Sequence, residues 1–111
     1  MVSITFEKKK PLSDALEDFL IANHDFDLTK KKFLSFSVCQ VYLTNEISSV
    51  IVRYDSSHGY CHVHRFYKYL NPKRESLHKP ISSETFKECR LDILLNWASY
   101  KQQYLTLQRP K

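Results

Sequence analysis

Arg53-Tyr54-Asp55-Ser56-Ser57-His58-Gly59-Tyr60-Cys61-His62-Val63-His64-Arg65-Phe66-Tyr67 is the stretch on which the fold turns. It contains the only glycine of the chain. Gly59 is the residue there most able to take a positive φ, so the polar bend from Asp55 to Gly59 reads as the closure of a hairpin. The strands on either side are Ser49 to Asp55 and Tyr60 to Leu70. The same stretch holds three of the five histidines, two arginines and three of the seven tyrosines. These side chains handle protons, phosphates and metals, and a structural strand rarely needs so many. A functional site is expected here.

Upstream, Phe33 to Leu43 alternates as a strand, with Phe33, Ser35, Ser37, Cys39 and Val41 on one side and Leu34, Phe36, Val38, Gln40 and Tyr42 on the other. Thr44-Asn45-Glu46 supplies the turn into Ser49–Asp55. Nearer the amino terminus, Val2 to Phe6 predicts a short strand and Lys8-Lys9-Lys10-Pro11 a connection. Pro11 or Ser13 then starts a helix that fades between Asn23 and Asp27. Its apolar face is Leu12, Leu16, Phe19 and Leu20, and Asp14, Glu17 and Asp18 suit its positive end. Lys30-Lys31-Lys32 is a solvated approach to the next strand.

Downstream, Asn71-Pro72-Lys73-Arg74 breaks the third strand, and a basic loop runs to Pro80. Ser82 or Ser83 caps a long helix that reaches about Leu105. Phe86, Cys89, Ile93, Trp97, Tyr100 and Tyr104 form its apolar stripe, widened by Leu94 and Leu95. The expected fold is α+β: an antiparallel sheet of three or four strands packed against an N-terminal helix and a long C-terminal helix. Residues 1–111 form one domain.

Hydrophobic content of 42% and aromatic content of 14% suit a globular chain. No apolar run approaches the ~20 residues that cross a bilayer, and no signal peptide opens the sequence. A cytoplasmic protein without membrane association is expected. Cys39, Cys61 and Cys89 are odd in number and lack a CxxC pair, which excludes a disulfide framework or cysteine zinc knuckle; each reads as a small buried residue. The single glycine excludes glycine-rich nucleotide loops. The net charge of +5 is uneven, −1 over residues 1–59 and +6 over residues 60–111, which suggests one surface that attracts polyanions.

Residues two apart on a strand share a face and lie about 6.5 to 7 Å apart. His62 and His64 therefore point the same way, with Tyr60 and Phe66, while Cys61, Val63, Arg65 and Tyr67 point oppositely. Such a pair can move protons across a phosphodiester. It can also share a metal if His58 or Asp55 adds a third ligand, or it can be two satisfied structural histidines. Arg53 shares its side with Asp55 and reads either as a cross-strand ion pair or as an anion clamp. The Lys73–Lys79 loop reads either as a phosphate-tracking segment or as a solvated loop.

At Arg53-Tyr54-Asp55, the polar bend and His62-x-His64, the sequence resembles the small TumE-type toxin-like proteins of prokaryotic toxin–antitoxin pairs. The similarity covers roughly residues 48 to 70 and, more loosely, the final helix. It implies a cytosolic protein made beside a DNA-binding antitoxin, with RNA as its target. Residue by residue, it touches Arg53, Tyr54, Asp55, His62 and His64.

The leading expectation is a small RNA-directed toxin-like protein, a metal-independent endoribonuclease with no cofactor. His62 and His64 would transfer protons, with His58 as a substitute for either. Arg53 or the Lys73-Arg74 loop would offset charge at the phosphate, Asp55 is a further substrate-binding candidate, and Tyr54 or Tyr60 would stack on a base. The alternatives are a non-catalytic nucleic-acid- or protein-binding module and a metal-binding protein built on His58, His62 and His64.

Overall fold

A computed structural model describes residues 2–109. The chain forms six strands, each hydrogen-bonded antiparallel to the next in sequence order, followed by one helix. The strands are β1 (Ser3–Pro11), β2 (Asp18–Asp27), β3 (Lys32–Thr44), β4 (Ile47–Asp55), β5 (His62–Arg65) and β6 (Glu75–Ser76); the helix is α1 (Ser83–Leu107). The result is a meander with α1 laid over one face of β2, β3 and β4.

Two expectations about the architecture are overturned. The sheet has six strands instead of three or four, and the segment expected to be an N-terminal helix is strand β2. The run Phe19-Leu20-Ile21-Ala22 fits either period, because a short apolar run does not distinguish a helix from a strand buried on both faces. Pairing with β1 on one side and β3 on the other decides it: Asp18, Leu20 and Ala22 are buried, and Phe19, Ile21 and Asn23 alternate with them. Leu12 and Leu16 lie in the connection ahead of it, where Leu12 N–H donates to the Asp18 carbonyl at 2.7 Å and Leu16 takes a φ of 56°.

The lysine run expected as a connection belongs to β1, which reaches Pro11. β1 is an edge strand, and Lys8, Lys9, Lys10 and Pro11 are residues that discourage pairing with a further chain. The third expected strand is also shorter. It ends at Arg65, a turn follows through Phe66–Lys68, and Glu75–Ser76 of the expected basic loop pairs back onto it as β6.

Other local expectations hold. Gly59 takes a φ of 83° in the bend between β4 and β5, preceded by His58 at 66°. Asn45 and Glu46 form the two-residue β3–β4 turn, both with positive φ. Ser82 Oγ caps α1 by accepting from Thr85 N–H at 3.2 Å. The stripe Phe86, Cys89 and Ile93 packs on Leu20, Ala22, Phe36, Val38, Val52, Tyr54 and Val63. Leu95, expected to widen that stripe, faces solvent. Extra residues at Leu34 and Ile51 shift the registers of β2–β3 and β3–β4. The first turns Phe33 to the helix side, where it meets Phe36 and Phe86.

Candidate functional site

The face of the sheet opposite α1 is polar in ranks set by the registers. One rank crosses all six strands as Glu7, Asn23, Ser37, Asp55, His62 and Ser76, each the direct partner of the next. On one side of it lie Lys9, Ile21, Cys39, Arg53 and His64, also partners in order. On the other side lie Thr5, Asp25 and Ser35. Directly opposed residues on one face approach closely, so each rank is a line of interacting side chains.

His62 stands on β5 toward one end of this rank and is 1% exposed. Its Nε2 lies 2.7 Å from Asp55 Oδ1, and its Nδ1 lies 3.3 Å from the Tyr60 carbonyl oxygen. Both nitrogens face oxygen acceptors, so neither is free to reach a substrate. Asp55 Oδ1 is fixed in turn by the backbone N–H and hydroxyl of Ser57, at 3.1 and 2.9 Å. This closes the bend between β4 and β5 and ties the histidine to it. The sequence expectation makes His62 a proton-transfer residue; in the structure both of its nitrogens already face oxygens of the chain itself.

His64 meets His62 edge-on, with ring centroids 5.4 Å apart, and lies opposite Arg53 in the β4–β5 register. Its Nδ1 and the Nε of Arg53 are both buried without a partner in the protein. Burial first, then the charges of His62 and Arg53, hold the His64 imidazole below the ordinary histidine value; Asp55 opposes this and Arg74 adds to it. An imidazole and a guanidinium, each with a buried nitrogen that lacks a partner, are thus cross-strand neighbours. Burial also pushes the neighbouring Cys39 thiol up, with Arg53 opposing, so Cys39 is not an activated nucleophile.

A cleft of about 480 Å³ opens beside Asp55, lined by Thr5, Glu7, Asn23, Asp25, Ser35 and Ser37 among others. Asp25 accepts from Ser35 Oγ at 2.6 Å and from Thr5 Oγ1 at 2.5 Å, and these bonds hold its carboxyl below the usual range. Carboxylates therefore gather over β1–β3, while Arg53, His64 and Arg74 mark the β4–β6 side.

The remaining expected residues separate. Tyr54 lies on the helix face, buried, with its hydroxyl on Asp92; it cannot stack on a base, and burial with that carboxylate raises its pKa far above the ordinary value. Asp92 also accepts from Tyr100. Tyr60 is exposed, its ring 5.2 Å from that of His62. His58 is exposed on the bend with its ring 6.0 Å from His62. Lys73 lines a separate hollow with Tyr69, Asn71 and Glu75, whereas the charge of Arg74 reaches His64. Arg65 points to the helix side, as expected, and pairs with Glu75 at 2.8 Å. Among the described residues no three His, Cys, Asp or Glu side chains converge as a metal-ligand set, and His62 is already committed to Asp55 and Tyr60.

Sequence reasoning missed Glu7, Asn23, Asp25, Ser35 and Ser37 as members of this face. The β2 residues were hidden by the helical reading of that segment. The polar run Asn23-His24-Asp25, which interrupts the apolar face a helix would need, was the available signal. No curated protein and no solved structure matches the chain. One family model matches residues 7–110, nearly the whole chain, and the protein therefore belongs to the family described as domain of unknown function DUF7718.

Proposed function

We propose that the domain binds RNA in the cytosol through its helix-free face, with Arg53 and His64 holding a phosphate. The observation that carries this reading is the pair of buried, unpartnered nitrogens, Arg53 Nε and His64 Nδ1, on residues that are cross-strand partners in β4 and β5. Buried polar nitrogens without partners are costly, and a phosphate oxygen supplies the missing acceptor to the guanidinium. Arg74 adds charge on the β6 side, and the residues from 60 onward carry the surplus of +6. Tyr60 offers an exposed ring at the same edge for a base. The strand approaches from β5 and β6, because the β1–β3 side is acidic.

Titration of a fluorescent single-stranded RNA tests this. Binding should weaken as salt rises. Arg53→Gln should weaken it about tenfold, the equivalent of one charge-assisted contact. Equal affinity of Arg53→Gln and the parent protein would refute the proposal.

A second reading, cleavage by a toxin held in check by an antitoxin, is favoured by one observation: the depressed pKa of His64 keeps a base available near neutral pH. The RNA 2′-hydroxyl would be the nucleophile, His64 would take its proton, and Arg53 would offset the developing charge. His58, not His62, would be the reachable acid. Incubation of RNA with the protein in EDTA separates the two readings: His64-dependent products support cleavage, and intact RNA supports binding alone.

A further inference from the structure

On the opposite face, a trough of about 290 Å³ runs between β1 and α1, and three elements furnish it in the same way. β1 contributes Phe6 and Lys8, two apart on one side of the strand. β2 contributes their partners His24 and Ala22. α1 contributes Phe86 and Arg90, one helical turn apart. The trough exists because α1 covers β2, β3 and β4 and leaves β1 beyond its edge, while Ala22, buried and small, forms a floor with room above it.

Its walls are aromatic. The His24 ring stacks between Phe6, at 4.8 Å, and Phe33, at 5.4 Å, and leans on Phe86 at 5.0 Å. Phe6 keeps 47% of its surface exposed, on a strand with no neighbour beyond it. The rims are cationic. The Arg90 guanidinium lies 5.7 Å from the Phe86 ring centroid, and its Nε is buried without a partner. Among the described residues neither Arg90 nor Lys8 pairs with a carboxylate. Glu7 also borders the trough, its carboxylate 3.8 Å from the Lys9 ammonium.

We infer that this trough is a second binding site, separate from the helix-free face, for a small ligand in which a flat ring carries a phosphate. The ring lies over Ala22, beside the His24 ring that fills the space between Phe6 and Phe86, and the phosphate accepts from Arg90 and Lys8 across the mouth. An apolar ring alone leaves the Arg90 Nε unsatisfied, and a bare anion leaves the aromatic walls in water. Only a ligand with both parts uses both features. The volume suits a single ring system and excludes a folded partner.

The test is a titration of the full chain with phenyl phosphate, AMP and UMP, with inorganic phosphate as the ringless control, followed by amide chemical shifts. Binding of the ring-bearing probes should perturb Ala22, His24 and Phe86, with a midpoint read separately from any shift at Asp55 and His64 on the helix-free face. Arg90→Gln should weaken it about tenfold, and Lys8→Gln, at an exposed position of the edge strand, should weaken it by a smaller factor. Nucleotides binding more tightly than phenyl phosphate identify a nucleotide; equal binding identifies an aryl phosphate. The inference is overturned if none of the probes shifts these amides at millimolar concentration. It is also overturned if inorganic phosphate binds as well as they do, or if Arg90→Gln and Lys8→Gln both bind with parent affinity.

Discussion

His62 and His64 have the same chemistry and the same strand face, yet one is spent on structure and the other is left open. The difference is one register step. His62 is opposite Asp55, whose carboxylate takes its Nε2, whereas His64 is opposite Arg53, which cannot accept a hydrogen bond. That difference has a measurable consequence for stability. The native pKa of His64 lies below 6.5, so between that depressed value and 6.5 the unfolded chain binds a proton that the folded chain refuses. This residue's contribution is therefore complete above pH 6.5 and is lost as the pH falls below it. Urea midpoints measured across this window should fall less steeply with decreasing pH in His64→Gln than in the parent protein. Identical pH profiles would show that the histidine titrates alike in both states.

Among the elements, the β3–β4 hairpin has a turn whose second residue is poorly suited to its shape. Asn45 and Glu46 have φ of 49° and 64°, the double positive φ of a type I′ turn. Asparagine tolerates that conformation, but glutamate does so at a cost. Glu46→Gly should therefore stabilise the domain by about 0.5 to 1 kcal/mol, the relief of left-handed strain exceeding the added entropy of glycine in the unfolded chain. A raised urea midpoint with unchanged slope would confirm it.

The same hairpin shows why some elements were legible and others were not. Phe33 to Leu43, the Thr44–Glu46 turn and the Ser82-capped helix carry strong local signals: long alternation, a polar break, a cap followed by a 3.6-residue stripe. β2 carries a local signal that fits two periods. β6 has only two residues, and nothing in Glu75-Ser76 marks them as a strand until β5 stands beside them.

At the scale of the molecule, a buried ion pair helps to hold the far half of α1 to the sheet. Lys101 Nζ lies 3.0 Å from Asp18 Oδ2 and 4.6 Å from the centre of the Tyr42 ring. Asp18 is 1% exposed and its other oxygen has no partner. Lys101→Met should cost about 3 kcal/mol, because it strands a buried carboxylate, whereas replacing both partners with apolar residues should cost much less. A double-mutant cycle with Asp18→Leu, read by urea denaturation, checks this; additive losses would mean that the pair is not coupled.

By itself the sequence determined the α+β class, the meander of β3, β4 and β5, the closing helix with its cap, and the concentration of histidine and arginine at the hairpin around Gly59. All of these follow from periods, caps and turn residues, which act over a few neighbouring positions. Only the tertiary structure decided that Asp18–Asp27 is a strand, that six ranks of backbone pair in order, and that Glu7, Asn23, Ser37, Asp55, His62 and Ser76 form one line. It also sent Tyr54 to the helix and separated the roles of His62 and His64. A side chain's face can be counted along its own strand, but what stands opposite it depends on a partner many residues away, and that partner determines whether its nitrogens are satisfied or left for a ligand.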